Sequence, residues 1–173
     1  MSDTPSTDAR NPADVVTGMV HQVLELAQTW THWDGEPRSA DDRLYSPHKA
    51  IRRVADHLVD HLAEIEARIA GVPTIPDRWH ASAITTPADL APFTPEDLDE
   101  ARSRLTRLAQ IFEIRLQQFS DAALDHRQGD AWSVRQIAFH LEGSLYYAKA
   151  IGILRPSSAN TVLNERDSFP PQT

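Results

Sequence analysis

At three places in this chain a helix-capping residue followed at once by proline leads into an apolar stripe at helical spacing. Asn11-Pro12-Ala13-Asp14 places Asn at the N-cap, Pro at the first helical position and an acid in the first turn. Val16, Met19, Val20, Val23, Leu26, Ala27 and Trp30 then recur on one face. This helix is expected to stop near Trp33, ahead of Asp34-Gly35-Glu36-Pro37, with a polar loop (SADDRLY) after it. Ser46-Pro47 opens a second helix with Ile51, Val54, Leu58, Leu62, Ile65 and Ile69 on its stripe, and Gly71 and Pro73 close it. Thr94-Pro95-Glu96-Asp97 opens a third, carrying Leu98, Ala101, Leu105, Leu108, Phe112, Leu116 and Phe119. A fourth start lacks proline: Ser133 with Gln136 three residues on is a capping box, and Val134, Ile137, Leu141, Leu145 and Ala148 follow.

No segment alternates like a strand over a useful length, so four amphipathic helices must bury their stripes against one another. The expected fold is all-α, a four-helix bundle spanning residues 11–153, with flexible tails at 1–10 and 154–173. One connection breaks the pattern. Residues 72–93, between the second and third helices, are long for a loop in a compact domain and are expected to be packed or functional. Thr86-Pro87-Ala88-Asp89 is expected to open one helical turn within them. The Arg78-Trp79-His80 run is read as packing by Trp79, with His80 as a residue that could cover a pocket.

Charge and composition narrow the function. Net charge is −8, and no basic run is longer than Arg52-Arg53, which disfavours nucleic-acid binding. No apolar stretch is long enough for a membrane span, and residues 1–12 lack the apolar segment of a signal peptide, so a soluble cytoplasmic protein is the expectation. Cysteine is absent while histidine occurs eight times, so any metal site must use His, Asp or Glu.

The stretch RVADHLVDHLAEI holds His57 and His61 four residues apart. At about 100° per residue, with Leu58 at the centre of the core stripe, His61 lies roughly 60° and His57 roughly 100° to the same side. With Leu141 at the centre of the fourth stripe, His140 lies roughly 100° and Ser144 roughly 60° to the side. Border positions meet across the seam between neighbouring helices. A His-x-x-x-His pair plus one His from another helix can offer three neutral nitrogens to a divalent ion. The competing reading is a hydrated helix border, with Asp56 and Asp60 as ordinary surface charge. The remaining histidines carry less: His21 is expected near the core of the first helix, His48 on the side opposite His57, and His32 and His126 at or beyond helix ends.

The run LTRLAQIFEIRLQQFSDAALDHRQGDAWSVRQIAFHLEGSLYY, residues 105–147, resembles the N-terminal half of the DinB/YfiT-like superfamily. The matching positions are Leu124, Gly129, Trp132, Ser133, Val134, Arg135, Ile137, His140, Leu141 and Ser144, and Gln136 stands where family members usually carry an acid. The match covers about 45 residues. The resemblance implies that His140 is a metal ligand whose two partners form a His-x-x-x-His pair on the family's last helix. Here no histidine follows His140, and the only such pair is His57/His61, upstream. The order implied is circularly permuted: residues 11–70 would stand for the family's third and fourth helices and 94–153 for its first and second.

On this reading His57, His61 and His140 hold Zn²⁺, Ni²⁺ or Fe²⁺, with open positions for water or a substrate thiolate. The resemblance implies a metal-dependent thiol transferase or hydrolase acting on a small molecule, with a low-molecular-weight thiol as a candidate cosubstrate, and a homodimer as a candidate assembly. Asp60 is the candidate general base. Glu142 is read as a surface carboxylate near the site. Arg53 is read as pairing with Asp56 or Asp60 in preference to binding an anionic substrate group. The alternative is a non-catalytic binding or dimerisation module in which Trp30, Trp33, Tyr146 and Tyr147 form an interface.

Overall fold

The computed structural model describes residues 8–76 and 84–156. Its elements are mostly helical, consistent with an all-α fold. Helix α1 spans Pro12–Ala27 and α2 spans Pro47–Ala70; α3 is Pro95–Gln117 and a short α4 is Asp121–Asp125. The last helical stretch is divided into α5, Val134–Leu141, and α6, Leu145–Ile151, joined by a 3-10 turn at Glu142–Ser144. α1 packs on α3, α5 and α6, and α2 packs on α3, α5 and α6. Among the described residues no helix is long and apolar enough to cross a membrane.

The helix starts are those the capping signals mark. Asn11, Ser46, Thr94 and Ser133 each accept from a backbone N–H of the following turn. At Ser133 the box closes, with Gln136 accepting from the Ser133 N–H at 2.9 Å. Gly71 ends α2 in the left-handed region (φ 66°), where an L side chain would be strained. Thr86 caps a 3-10 turn at Pro87–Leu90, the short turn expected inside the long connection. The Arg78-Trp79-His80 run lies outside the described residues, as do residues 1–7 and 157–173 of the two expected tails.

Three local expectations need correction. α1 ends at Ala27, and Trp30–His32 form a separate 3-10 turn, because the Thr29 hydroxyl donates back to Leu26 O and Trp33 N–H to Trp30 O. The turn drives Trp30 fully into the core, where its Nε1–H donates to Gly152 O at 2.8 Å. Trp30 is therefore no interface residue. The segment expected as a polar loop is a β-hairpin: β1, Arg38–Ala40, pairs antiparallel with β2, Arg43–Tyr45. Its two-residue turn needs positive φ at both central positions, and Asp41 and Asp42 supply 47° and 58°. His21 is exposed, 3.6 Å from Glu25, because the α1 stripe through Val16, Met19, Val20 and Val23 faces the other way.

The apolar stripes otherwise meet as their spacing requires. Leu58 and Ile65 of α2, Leu105 and Phe112 of α3, and Ile137 and Leu141 of α5 are among the fully buried residues. Ile69, last on the α2 stripe, is half exposed and lines an open cavity with Phe119, Ala123 and Val134.

Candidate metal centre

His57 and His61 project from one flank of α2 toward α5, and His140 comes back from the last turn of α5. One ligand nitrogen from each ring lies within 4.8 Å of the others. The Nε2 atoms of His57 and His140 are 3.0 Å apart. Nitrogens bound to one tetrahedral ion at about 2.0–2.1 Å stand roughly 3.4 Å apart. The first pair is already near that spacing, and the widest separation in the group, 4.8 Å, exceeds it by roughly 1.4 Å.

Two of the rings are oriented from behind. His57 Nδ1 is 2.7 Å from the Oγ of Ser144, which is wholly buried in the 3-10 turn between α5 and α6. His61 Nδ1 is 2.9 Å from Glu64 Oε2. An imidazole whose Nδ1–H donates to such an acceptor carries its lone pair on Nε2, the tautomer a metal needs. Glu64 is itself held by Arg68, which also donates to the Trp132 carbonyl in the segment leading into α5. One arginine thus ties the carboxylate behind His61 to the chain that presents His140.

The Trp132 ring forms a wall, 4.5 Å centroid to centroid from His140 and stacked at 6.4 Å on His61. With Asp60, Glu64, Thr74, Ile75 and Pro76, the three histidines and Trp132 line a half-open cavity of about 340 Å³. Desolvation, and then the charge of His61, push the His140 pKa below its usual 6.5, against a smaller opposing effect of Glu64. His140 is therefore neutral at pH 7, with its lone pair available. Three convergent imidazole nitrogens beside an open cavity can bind one divalent ion and leave positions for a small ligand.

The other residues singled out in the sequence fall in different places. Asp60 lines the same cavity. Glu142 points away and takes two bonds from Arg10, at 2.8 and 3.0 Å. Arg53 lies 3.5 Å from Asp56, one of the two charge partners expected for it. His48 is remote, against Phe93 and Pro92 O. Glu64, Arg68 and the wall role of Trp132 were not read from the sequence, although Glu64 and Arg68 sit three and seven residues after His61, on its own helix face.

Compared with protein-family models, curated proteins and solved structures, the chain matches none.

Proposed function

We propose that this protein is a divalent-metal-binding helical protein in which His57, His61 and His140 hold one ion, built as a DinB-like four-helix bundle with its helix pairs in permuted order. The carrying observation is the convergence of three imidazoles from two helices, two of them with Nδ1 fixed by a buried hydroxyl and a carboxylate. Chance surface histidines have no reason to be oriented in this way. The resemblance of residues 105–147 supports the same ligand set from a different direction.

The bound ion would supply Lewis acidity, lowering the pKa of a coordinated water or thiol. The chain's own part is to seat a small molecule in the cavity between Trp132, Ile75 and Pro76, and to place Asp60 as proton acceptor at its edge. This arrangement suits a thiol transferase or a hydrolase working on a small-molecule substrate.

Metal analysis of tag-free protein tests the reading. About one zinc, nickel or iron per chain is expected after reconstitution, and loss of that metal in His140→Ala. No metal in either protein, or equal metal in both, refutes the site.

A further inference from the structure

A second polar cluster lies on the seam between α2 and α6, one turn and more from the histidines. Lys49, Arg53, His57 and His61 follow one another at four-residue steps along α2, each roughly 6 Å further along the helix axis. Opposite them stand His140, Ser144 and Tyr147. The His57–Ser144 contact separates the metal-facing end from a layer made of Arg53, Tyr147, Tyr45 and Lys49.

This layer is buried and short of acceptors. Tyr45 is wholly buried, Lys49 is 1 % exposed and Arg53 is 7 % exposed. Arg53 Nε and the Tyr45 hydroxyl have no hydrogen-bond partner, and Arg53 Nη1 has only the Asp56 carboxylate, at 3.5 Å. Arg53 Nη2 donates over 3.4 Å to the Tyr147 hydroxyl, which leaves that hydroxyl its own proton to give. The four groups form one stack: the Arg53 guanidinium lies 5.3 Å from the Tyr147 ring centre, Tyr147 lies 5.9 Å from Tyr45, and Lys49 Nζ lies 5.2 Å from the Tyr45 ring centre.

Charge is out of balance in the same place. Lys49 Nζ donates to an uncharged group, Thr85 Oγ1, at 3.0 Å. Arg52 takes the carboxylate of Asp89 in two bonds of 3.0 and 2.7 Å. Asp56 is shared, 3.5 Å from Arg53 and 3.9 Å from Arg52. Among the described residues Lys49, Arg52 and Arg53, with Arg43 also acting on Lys49, face the carboxylates of Asp56 and Asp89, so positive charge is in excess. Buried donors without acceptors are uncommon in folded proteins, and each calls for a partner such as an ion. A single monovalent anion would supply both the missing acceptors and the missing charge.

We propose that the Arg53–Tyr147–Tyr45–Lys49 layer is a binding site for a small carboxylate anion. Its oxygens accept from Arg53 Nε and from the tyrosine hydroxyls, and its charge offsets that of Lys49. Near-complete burial of the layer limits the ligand to a few heavy atoms, the size of formate or acetate. The site rests on its own donors and is independent of the metal reading.

The test is thermal unfolding of the full, metal-free chain in sodium formate or acetate, with a bulky monovalent anion (MES) at equal ionic strength as control. Formate or acetate is expected to raise Tm saturably and MES is not. Arg53→Met should weaken the anion's apparent affinity by about tenfold or more. Tyr45→Phe should weaken it several-fold, yet leave the anion-free Tm unchanged or higher, because it removes a buried hydroxyl that has no acceptor. His140→Ala should respond like the wild type. The proposal is overturned if formate and acetate do no more than MES, if Tyr45→Phe responds like the wild type, or if the response disappears in His140→Ala. Should Arg53→Met fail to fold, Tyr45→Phe and Tyr147→Phe decide the matter.

Discussion

Replacing Glu64 by Gln isolates what the carboxylate behind His61 contributes to metal binding. Glu64 Oε2 accepts from His61 Nδ1 at 2.9 Å, and its other oxygen is held by Arg68. Hydrogen bonds to a charged partner are worth about 1.5–3 kcal/mol. Gln keeps an acceptor oxygen and loses the charge, so roughly half of that is forfeited. The carboxylate is also a quarter exposed, which places the effect toward the low end. The expected result is a roughly fourfold weaker zinc affinity, about 0.8 kcal/mol, below the roughly tenfold that loss of the whole outer partner of a metal-bound histidine costs. Competition against a chromophoric chelator at pH 7 measures it. Glu64→Gln should fold with nearly wild-type Tm, since the amide oxygen can still accept from His61 or Arg68. Arg68→Met should weaken zinc less than additively with Glu64→Gln, because both act through the same contact. A zinc affinity within twofold of wild type in Glu64→Gln would refute the idea that this carboxylate orients a ligand.

Three further outcomes are expected. Nickel or cobalt bound at the histidines should quench tryptophan fluorescence, and Trp132→Phe should remove most of that quenching, because the Trp132 ring is 4.5 Å from His140. Ser133→Ala deletes the hydroxyl that accepts from Gln136 N–H, and should cost about 1 kcal/mol in urea unfolding, with an upper bound near 2. Asp89 gives a pH signature. Desolvation is the largest single influence on it and pushes its pKa up, but the bonds from Arg52 and Thr86 together hold it below 3.8. A carboxylate depressed in the folded state adds stability that is complete above its ordinary value and is lost as pH falls through the folded one. The stability advantage of wild type over Asp89→Asn should therefore hold from pH 7 to about 4 and shrink only below that. An advantage that already fades between pH 6 and 5 would contradict this account.

Most of the helical frame was legible because its signals are local. Asn11, Ser46, Thr94 and Ser133 place their helix starts through bonds that span three residues or fewer, so one window of sequence contains the whole interaction. The hairpin at Arg38–Tyr45 was not legible, since its strands are three residues long and its turn relies on two aspartates adopting positive φ. His21 was misplaced because a residue beside the stripe is turned outward once the stripe's centre is set by what packs on it.

The candidate centre divides in the same way. Helical periodicity alone put His57, His61 and His140 on stripe borders, since angular position on a helix depends only on residue count. Periodicity contains no distance between helices. Whether the border of α2 meets the border of α5 depends on how α2 packs on α3, α5 and α6 and how α5 packs on α1, and this brought the Nε2 atoms of His57 and His140 to 3.0 Å. The same packing set Ser144 behind His57 and ran Arg68 across to the Trp132 carbonyl. The sequence by itself determined which side chains were eligible for a site. Only the tertiary structure decided that they meet, because ligand geometry is set between elements far apart in the chain and no short-range signal encodes it.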